Sequence, residues 1–141
     1  MVLPILRMIA CFTTITRFIE ANLASRELGI EKITRTFALS RASLYRLFEP
    51  VGGVACYIRT RRLARARKEL TAPGLQDHRI GPIAYRAGFQ SIPAFNRAFR
   101  AAYGEPPRRA RQPEGGLVVS TAIVKLYPGR LHFAPDNDFA N

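Results

Sequence analysis

Apolar side chains recur at helical spacing along the N-terminal half of the chain, and turn-forming residues divide them into segments. Between Thr14 and Ser25 the apolar positions share one helical face, which predicts a first helix. A short helix is predicted from Glu31 to Phe37, followed by a turn at Ala38-Leu39. Ser40 is a favourable N-cap for a third helix from Arg41 to Phe48. Two short helices separated by a tight turn have the layout of a helix-turn-helix.

The same layout returns in the second half of the chain. Pro82 suits the first turn of a helix over Pro82–Ala87, because its missing N–H has no helical partner there. Gly88 turns the chain, and Ser91 can cap a second helix. Phe95 lies on the inward face of that helix, and Gly104 ends it. The pattern therefore predicts a second helix-turn-helix.

A long basic helix is predicted between the two units, from Ala55 to Leu70. Its predicted apolar stripe consists of Ile58, Leu63, Ala66 and Leu70. After Gln112 the pattern changes, since a Pro/Gly-rich linker precedes a β-prone segment at 117–127.

The charge of the chain is strongly positive, with 22 Lys and Arg against 10 Asp and Glu, a net +12. Residues 40–111 contain 15 of these cations and four acids, so 15 − 4 = +11 lies in that segment. A field of this sign favours a polyanion, either nucleic acid or an anionic membrane surface. All but three of the cations are Arg, which can bind phosphate or guanine through two hydrogen bonds.

Few residues suggest catalytic or metal chemistry. Cys11 and Cys56 fit no metal motif and are predicted to be buried thiols of a cytoplasmic protein. His78 and His132 lie in separate predicted loops, and no catalytic triad, phosphate-binding loop or acid pair stands out. We therefore expect neither a cofactor nor enzymatic activity. Arg7 interrupts the apolar N-terminus, so no signal peptide and no membrane span of about 18 residues is predicted.

Three segments of the sequence share an ordered pattern with a known family. They are LSRASLYRLF (39–48), YIRTRRLARARKEL (57–70) and IGPIAYRAGFQSIPAFNRAFRAAYGEPP (80–107). The third segment contains, in order, Ile83-Ala84, Gly88-Phe89, Phe95, Arg97, Phe99-Arg100, Gly104 and Pro107. In these segments the chain resembles the DNA-binding domain of the AraC/XylS family of bacterial transcription regulators. The resemblance covers about residues 14–111.

The resemblance implies an all-α fold of about seven helices, with two homeodomain-like helix-turn-helix subdomains joined by a long linking helix. We expect an N-terminal leader at 1–13, a DNA-binding domain at 14–112 and a C-terminal tail of unknown role at 113–141. The domain divides into a first helix-turn-helix (30–50), a linking helix (55–71) and a second helix-turn-helix (80–104). The two units would read successive major-groove segments on one face of the DNA.

The outward positions of the two second helices are the expected base-reading residues. The candidates for base edges are Arg41, Ala42, Ser43, Tyr45, Arg46, Ile92, Pro93, Asn96 and Arg97. The candidates for phosphate contacts are Ser40, Arg59, Arg61, Arg65, Ser91 and Arg100. Arg46 is the first choice for a base contact, since Arg pairs with guanine O6 and N7; a phosphate or solvent contact is the alternative. The resemblance also allows Arg97 a structural ion pair.

The chain departs from the family pattern at a few positions. Ala38 replaces the usual Gly of the first turn, and Pro93 occupies a position where a polar reading residue is common. Thr34 and Ala110 are further departures. Base reading by the second unit is therefore expected to be reduced, with more weight on phosphate contacts.

The predicted function is sequence-specific binding of double-stranded DNA by a cytoplasmic transcription regulator. The sequence leaves open whether RNA polymerase is a second partner. Most members of the family carry an effector-binding domain, which we expect to be absent here, leaving a monomer or a weak homodimer. The alternatives are a basic helical module that binds RNA or a membrane surface without reading DNA sequence, or a truncated non-regulating remnant.

Overall fold

The fold of the described residues is entirely helical, as the sequence predicts. The computed structural model describes residues 2–74 and 79–111. Seven α-helices form in this part of the chain: α1 (Val2–Ala21), α2 (Ile30–Phe37), α3 (Arg41–Phe48), α4 (Val54–Thr71), α5 (Ile80–Arg86), α6 (Ile92–Tyr103) and α7 (Pro107–Ala110). A 3-10 turn at Glu49–Val51 follows α3. The predicted β-prone segment at 117–127 lies outside the described residues.

Helix α1 begins at Val2 rather than at Thr14, so it includes most of the segment that the sequence assigned to a leader. Pro4 lies in the first helical turn, where an N–H has no intrahelical partner. The hydroxyl groups of Thr13 and Thr14 donate to the carbonyls of the preceding turn, at 2.9 and 2.8 Å. Neither Pro4 nor these threonines therefore interrupts the helix.

The N-terminal half of α1 is apolar and exposed. Val2, Leu3, Ile5, Leu6, Met8 and Ile9 are each more than half exposed. By length and composition alone, α1 could cross a membrane, with a mean hydropathy of 1.6. The expectation that no segment reaches this length is therefore wrong, because Arg7 and Arg17 interrupt the run without lowering its average enough. The C-terminal half of α1 is different, since Ile15 and Ile19 are completely buried.

The first hydrophobic core joins α1, α2, α3 and the start of α4. Ile15, Ile19, Ile33, Leu44 and Phe48 are its fully buried centre. Aromatic rings close its two sides: Phe12 lies 5.0 Å from Phe48 between ring centroids, and Phe18 lies 5.3 Å from Phe37. These contacts hold α3 with its opposite face toward solvent.

The second hydrophobic core is separate and joins the end of α4 to α5, α6 and α7. Phe95 and Phe99 are completely buried, which confirms the inward face predicted for Phe95. Phe89 is only partly buried, and its ring lies 5.1 Å from that of Phe95. Each helix-turn-helix therefore packs on its own core.

The linking helix α4 contributes to both cores, but with different faces. Val54, Tyr57 and Ile58 are buried in the first core, whereas Leu63, Ala66 and Leu70 are buried in the second. At about 100° per residue, the mean direction of the second group lies roughly 160° around the helix from that of the first. The single stripe predicted from Ile58 to Leu70 is therefore two stripes on nearly opposite faces, one for each unit.

Candidate nucleic-acid interface

The first turn of the interface joins α2 to α3 and contains a strained residue. Ala38 adopts left-handed backbone angles, with φ 50° and ψ 42°. The next residue, Leu39, donates its N–H to the carbonyl of Thr34 at 3.0 Å, which closes the end of α2. Ser40 then caps α3, because its hydroxyl oxygen accepts the N–H of Ser43 at 3.1 Å. The predicted turn and N-cap are confirmed.

The outer face of α3 presents the predicted side chains to solvent. Leu44 and Phe48 are completely buried, and this orients Arg41, Ala42, Tyr45 and Arg46 outward. Ser43 is half-buried, with its hydroxyl 2.9 Å from that of Ser40.

Two arginines of α3 differ in their surroundings. Arg41 is paired with Glu31 of α2, at 3.2 Å between Nη2 and Oε1, and both side chains are exposed. Arg46 makes no ion pair within the described part of the chain. Arg46 is therefore free to reach a ligand, whereas Arg41 must exchange a carboxylate partner to do so.

The second turn, between α5 and α6, also contains a left-handed residue. Gly88 has a φ of +97° and donates its N–H to the carbonyl of Tyr85 at 2.9 Å, while Phe89 donates to Ala84 at 3.0 Å. These two hydrogen bonds form a Schellman motif at the end of α5. Ser91 caps α6, since its hydroxyl accepts the N–H of Ala94 at 3.2 Å. The second predicted helix-turn-helix is thus confirmed as well.

The outer face of α6 carries most of the residues predicted for it. Pro93, Asn96, Arg97 and Arg100 are exposed, and neither arginine forms an ion pair among the described residues. Ile92 is half-buried and lies toward α5, because a Cβ added at Gly81 would sit 3.1 Å from its Cδ1. Ile92 therefore packs between the helices of the unit rather than on its outer face.

Comparison with known proteins identifies this architecture. A family model described as a helix-turn-helix domain matches residues 33–113, more than half of the chain. The XylDLEGF operon transcriptional activator of Pseudomonas putida is 36% identical over 98 residues. This similarity covers 68% of the present chain and 30% of that activator. The chain belongs to the AraC/XylS family.

Other relatives of this AraC/XylS-family chain show similar coverage. The transcriptional activator RhrA of Rhizobium meliloti is 30% identical over 95 residues, which is 67% of this chain and 30% of the relative. The uncharacterized regulator YbfP of Bacillus subtilis is 38% identical over 92 residues, or 64% of this chain and 30% of the relative. The chain therefore spans about a third of the length of these relatives.

The linking helix of this AraC/XylS-family domain presents three of the predicted phosphate-binding arginines. Arg59 and Arg65 are exposed and form no ion pair among the described residues. Arg61 is half-buried, and its guanidinium is paired with Glu20 of α1. Burial works to lower the pKa of Arg61, but the hydrogen bond and the charge of Glu20 outweigh it and the pKa is raised. Arg61 therefore stabilises the first unit in this structure.

Sequence reasoning missed Arg62, which reaches from α4 into the loop between α1 and α2. Its Nε donates to the carbonyl of Leu23 at 3.0 Å, and its Nη2 donates to the carbonyl of Ser25 at 2.9 Å. Burial lowers the pKa of Arg62. No local pattern marks these contacts, because the partners are backbone atoms 39 and 37 positions away in the sequence.

The two cysteines are less buried than expected. Cys11 and Cys56 are both half-buried, and they do not form a disulfide. Cys11 packs at the edge of the first core of this AraC/XylS-family domain, next to residues such as Phe12 that are also partly exposed. Full burial was predicted from apolar neighbours, but a core of this size leaves its margin open to solvent.

Proposed function

We propose that this chain is a sequence-specific regulator of transcription that inserts α3 and α6 into successive major-groove segments of double-stranded DNA. The observation that carries the proposal is the outer face of these two helices. Each is capped by a serine, is anchored by completely buried apolar residues and presents exposed arginines without an ion pair: Arg46 on α3, and Arg97 and Arg100 on α6. A helix held in this way can enter a groove about 12 Å wide.

Base reading is assigned mainly to α3. Arg46 is unpaired and outward, so it can form two hydrogen bonds with a guanine. Ala42 offers a methyl group to thymine, and Tyr45 offers a hydroxyl to a base or a phosphate. Ser43 shares a hydrogen bond with Ser40, so its hydroxyl is less available.

The second reading helix is assigned fewer base contacts. Asn96 and Arg97 are its exposed polar residues in the first two turns, and Pro93 offers no donor. Asn can pair with adenine N6 and N7 through its amide. The proposed reading by α6 therefore rests on these two side chains.

Phosphate contacts are assigned to exposed arginines that lie on the linking helix or near the end of α6, away from the first turns of the two reading helices. Arg59, Arg65 and Arg100 fit this role because no carboxylate competes for them among the described residues. Ser40 and Ser91 cap the two helices. The hydroxyl hydrogen of Ser91 can still donate to a phosphate oxygen, and that of Ser40 can do so when Ser43 is the donor in the hydrogen bond between their hydroxyl groups. Arg61 is a weaker candidate, since a phosphate would have to displace Glu20.

We further propose that the protein acts in the cytoplasm and contacts RNA polymerase when bound at its site. Two of the relatives described above are named as transcriptional activators, which supports a regulatory role for the whole protein. A monomer or a weak homodimer remains the predicted state. Light scattering with and without residues 113–141 tests it, and a stable dimer mass for both chains contradicts it.

The experiment that tests the proposal is competition for the protein between duplex DNA, RNA of the same length and anionic vesicles at one salt concentration. We expect duplex DNA to win, with log affinity falling by about 0.9 per log unit of salt for each phosphate neutralised. Stronger binding to RNA or to vesicles would contradict the proposal and favour the corresponding alternative. The vesicle arm also tests the exposed apolar half of α1.

A further inference from the structure

The two reading units contact each other through very little apolar surface. Their hydrophobic cores are separate, and α4 alone belongs to both. In the first unit α3 packs on α4, and in the second unit α5, α6 and α7 pack on it, whereas no pair of described helices packs closely across the two units. Apolar burial therefore joins each unit to α4 separately, so a direct contact between the units adds to what fixes their relative orientation.

Arg62 lies where the two units approach each other. It is on α4 between the first-core residue Ile58 and the second-core residue Leu63. Its two hydrogen bonds, at 3.0 and 2.9 Å, end on the α1–α2 loop of the first unit. A guanidinium fork that binds two carbonyls is more restricted in orientation than a single hydrogen bond.

The turn of the second unit approaches the same two residues, Arg62 and Leu23. A Cβ added at Gly88 would overlap the carbonyl oxygen of Leu23 and would lie 2.6 Å from Nε of Arg62. Gly88 is buried, and it is the turn residue that precedes α6. One atom group from the first unit, one from the linking helix and one from the second turn are thus in mutual contact.

We infer that this clasp, formed by Arg62, the carbonyls of Leu23 and Ser25, and Gly88, sets the distance and angle between α3 and α6 and thereby selects the spacing of the two DNA segments that the protein reads. The inference rests on the proposed function. The clasp holds the first loop against the second turn, and α6 begins directly after that turn. A rocking motion of the first unit on α4 would have to break both hydrogen bonds, and a motion of the second unit would have to open the close contact of Gly88 with Leu23 and Arg62.

Spacing is a sensitive readout of such a clasp. Moving one DNA segment by one base pair displaces it by about 3.4 Å along the axis and rotates it by about 35°. Two rigidly coupled units cannot follow this change, and the gain in affinity from simultaneous binding is then lost. Units that rock freely can follow it.

The test begins with the site that the wild-type protein selects from a random duplex library. Affinities are then measured for that site, for versions with one base pair inserted or removed between its two segments, and for each segment alone. For the wild type we expect a spacing penalty on the order of 100-fold. For Arg62→Ala we expect the penalty to fall below roughly tenfold, with binding to single segments unchanged.

Arg86→Ala is the matched control. It removes the same kind of side chain, but its ion pair with Glu69 lies within the second unit. We expect it to keep the wild-type spacing penalty. If Arg62→Ala does not fold, as judged by circular dichroism, Arg62→Lys carries the test with an intermediate penalty, because Lys lacks the rigid fork of donors.

Each outcome decides the question. A wild-type spacing penalty in the Arg62 variants overturns the inference, and so does an equal loss of binding to single segments, which would give Arg62 a role within one unit only. Failure of the wild type to select any two-segment site would overturn the proposed function instead. The two failures are thus distinguishable.

Discussion

The first turn of the DNA-binding domain contains an alanine in a backbone conformation that is unfavourable for any residue with a Cβ. Ala38 has φ 50° and ψ 42°, whereas the second turn uses Gly88 for its left-handed residue. A residue with a Cβ in the left-handed region is destabilised by roughly 1–2 kcal/mol, which Gly avoids. Gly in turn lowers stability by about 0.4–1 kcal/mol relative to Ala, because it increases the entropy of the unfolded chain.

We therefore predict that Ala38→Gly raises the free energy of unfolding by about 0.5–1 kcal/mol. No burial is lost, since Ala38 is exposed. For a domain of this size the change corresponds to an increase in Tm of about 2–8 °C, measured by circular dichroism in the absence of DNA.

Ala42→Gly is the control for Ala38→Gly. It is the same substitution at an exposed position within α3, where the backbone is right-handed, and it should lower stability by about 1 kcal/mol. The prediction therefore requires opposite signs for the two variants. Equal losses of stability at positions 38 and 42 would show that the turn is not strained, and would refute the reasoning.

Three further predictions follow from the interface. Arg46→Ala should weaken binding to the selected site by roughly 1–3 kcal/mol and relax base preference at one position, because the guanidinium no longer contacts a base. Arg17→Ala, which removes an exposed arginine on α1, outside the reading helices, should do neither. If Arg46→Ala binds both the selected site and a random duplex as tightly as the wild type does, Arg46 does not read a base. Gly88→Ala should lower the free energy of unfolding by roughly 2–5 kcal/mol through overlap and backbone strain, and an unchanged Tm would contradict the close approach to Leu23. Glu31→Gln should remove the charge that pairs with Arg41 and increase DNA affinity a few-fold at low salt. Because the pair is exposed, the free energy of unfolding should change by no more than about 0.5 kcal/mol. If the salt dependence of DNA binding is unchanged, Arg41 does not contact a phosphate.

Much of the fold could be predicted because local chemistry determines it. Ser40 and Ser91 mark the starts of α3 and α6, Gly104 marks the end of α6, and the inward positions of Phe95 and Phe99 follow from helical spacing. The outward faces of both reading helices follow from the same periodicity. Capping and periodicity are properties of neighbouring residues, so a single sequence reveals them.

Other features depend on contacts that are distant in the sequence. The pairing of Arg61 with Glu20 and the contacts of Arg62 with Leu23 and Ser25 join α4 to residues about forty positions earlier. No periodic pattern separates these two arginines from Arg59 and Arg65, which remain exposed and unpaired among the described residues. Their different roles follow from which face of α4 each unit covers.

The linking helix packs differently from what its apolar pattern predicts. Its buried residues change faces near Arg62, so the apolar positions from Ile58 to Leu70 do not form one stripe. A helix that serves two cores has weak overall periodicity, although each half is regular.

The most direct measurement is selection of bound sites from a random duplex library by the wild type, by Arg46→Ala and by a variant that carries both Asn96→Ala and Arg97→Ala. We predict that the wild type selects two conserved segments whose centres lie about 10–10.5 base pairs apart, one helical turn. Arg46→Ala should lose base preference in one segment only, and the double variant should lose it in the other. A single selected segment, or loss of preference in the same segment for both variants, would contradict reading by two helices.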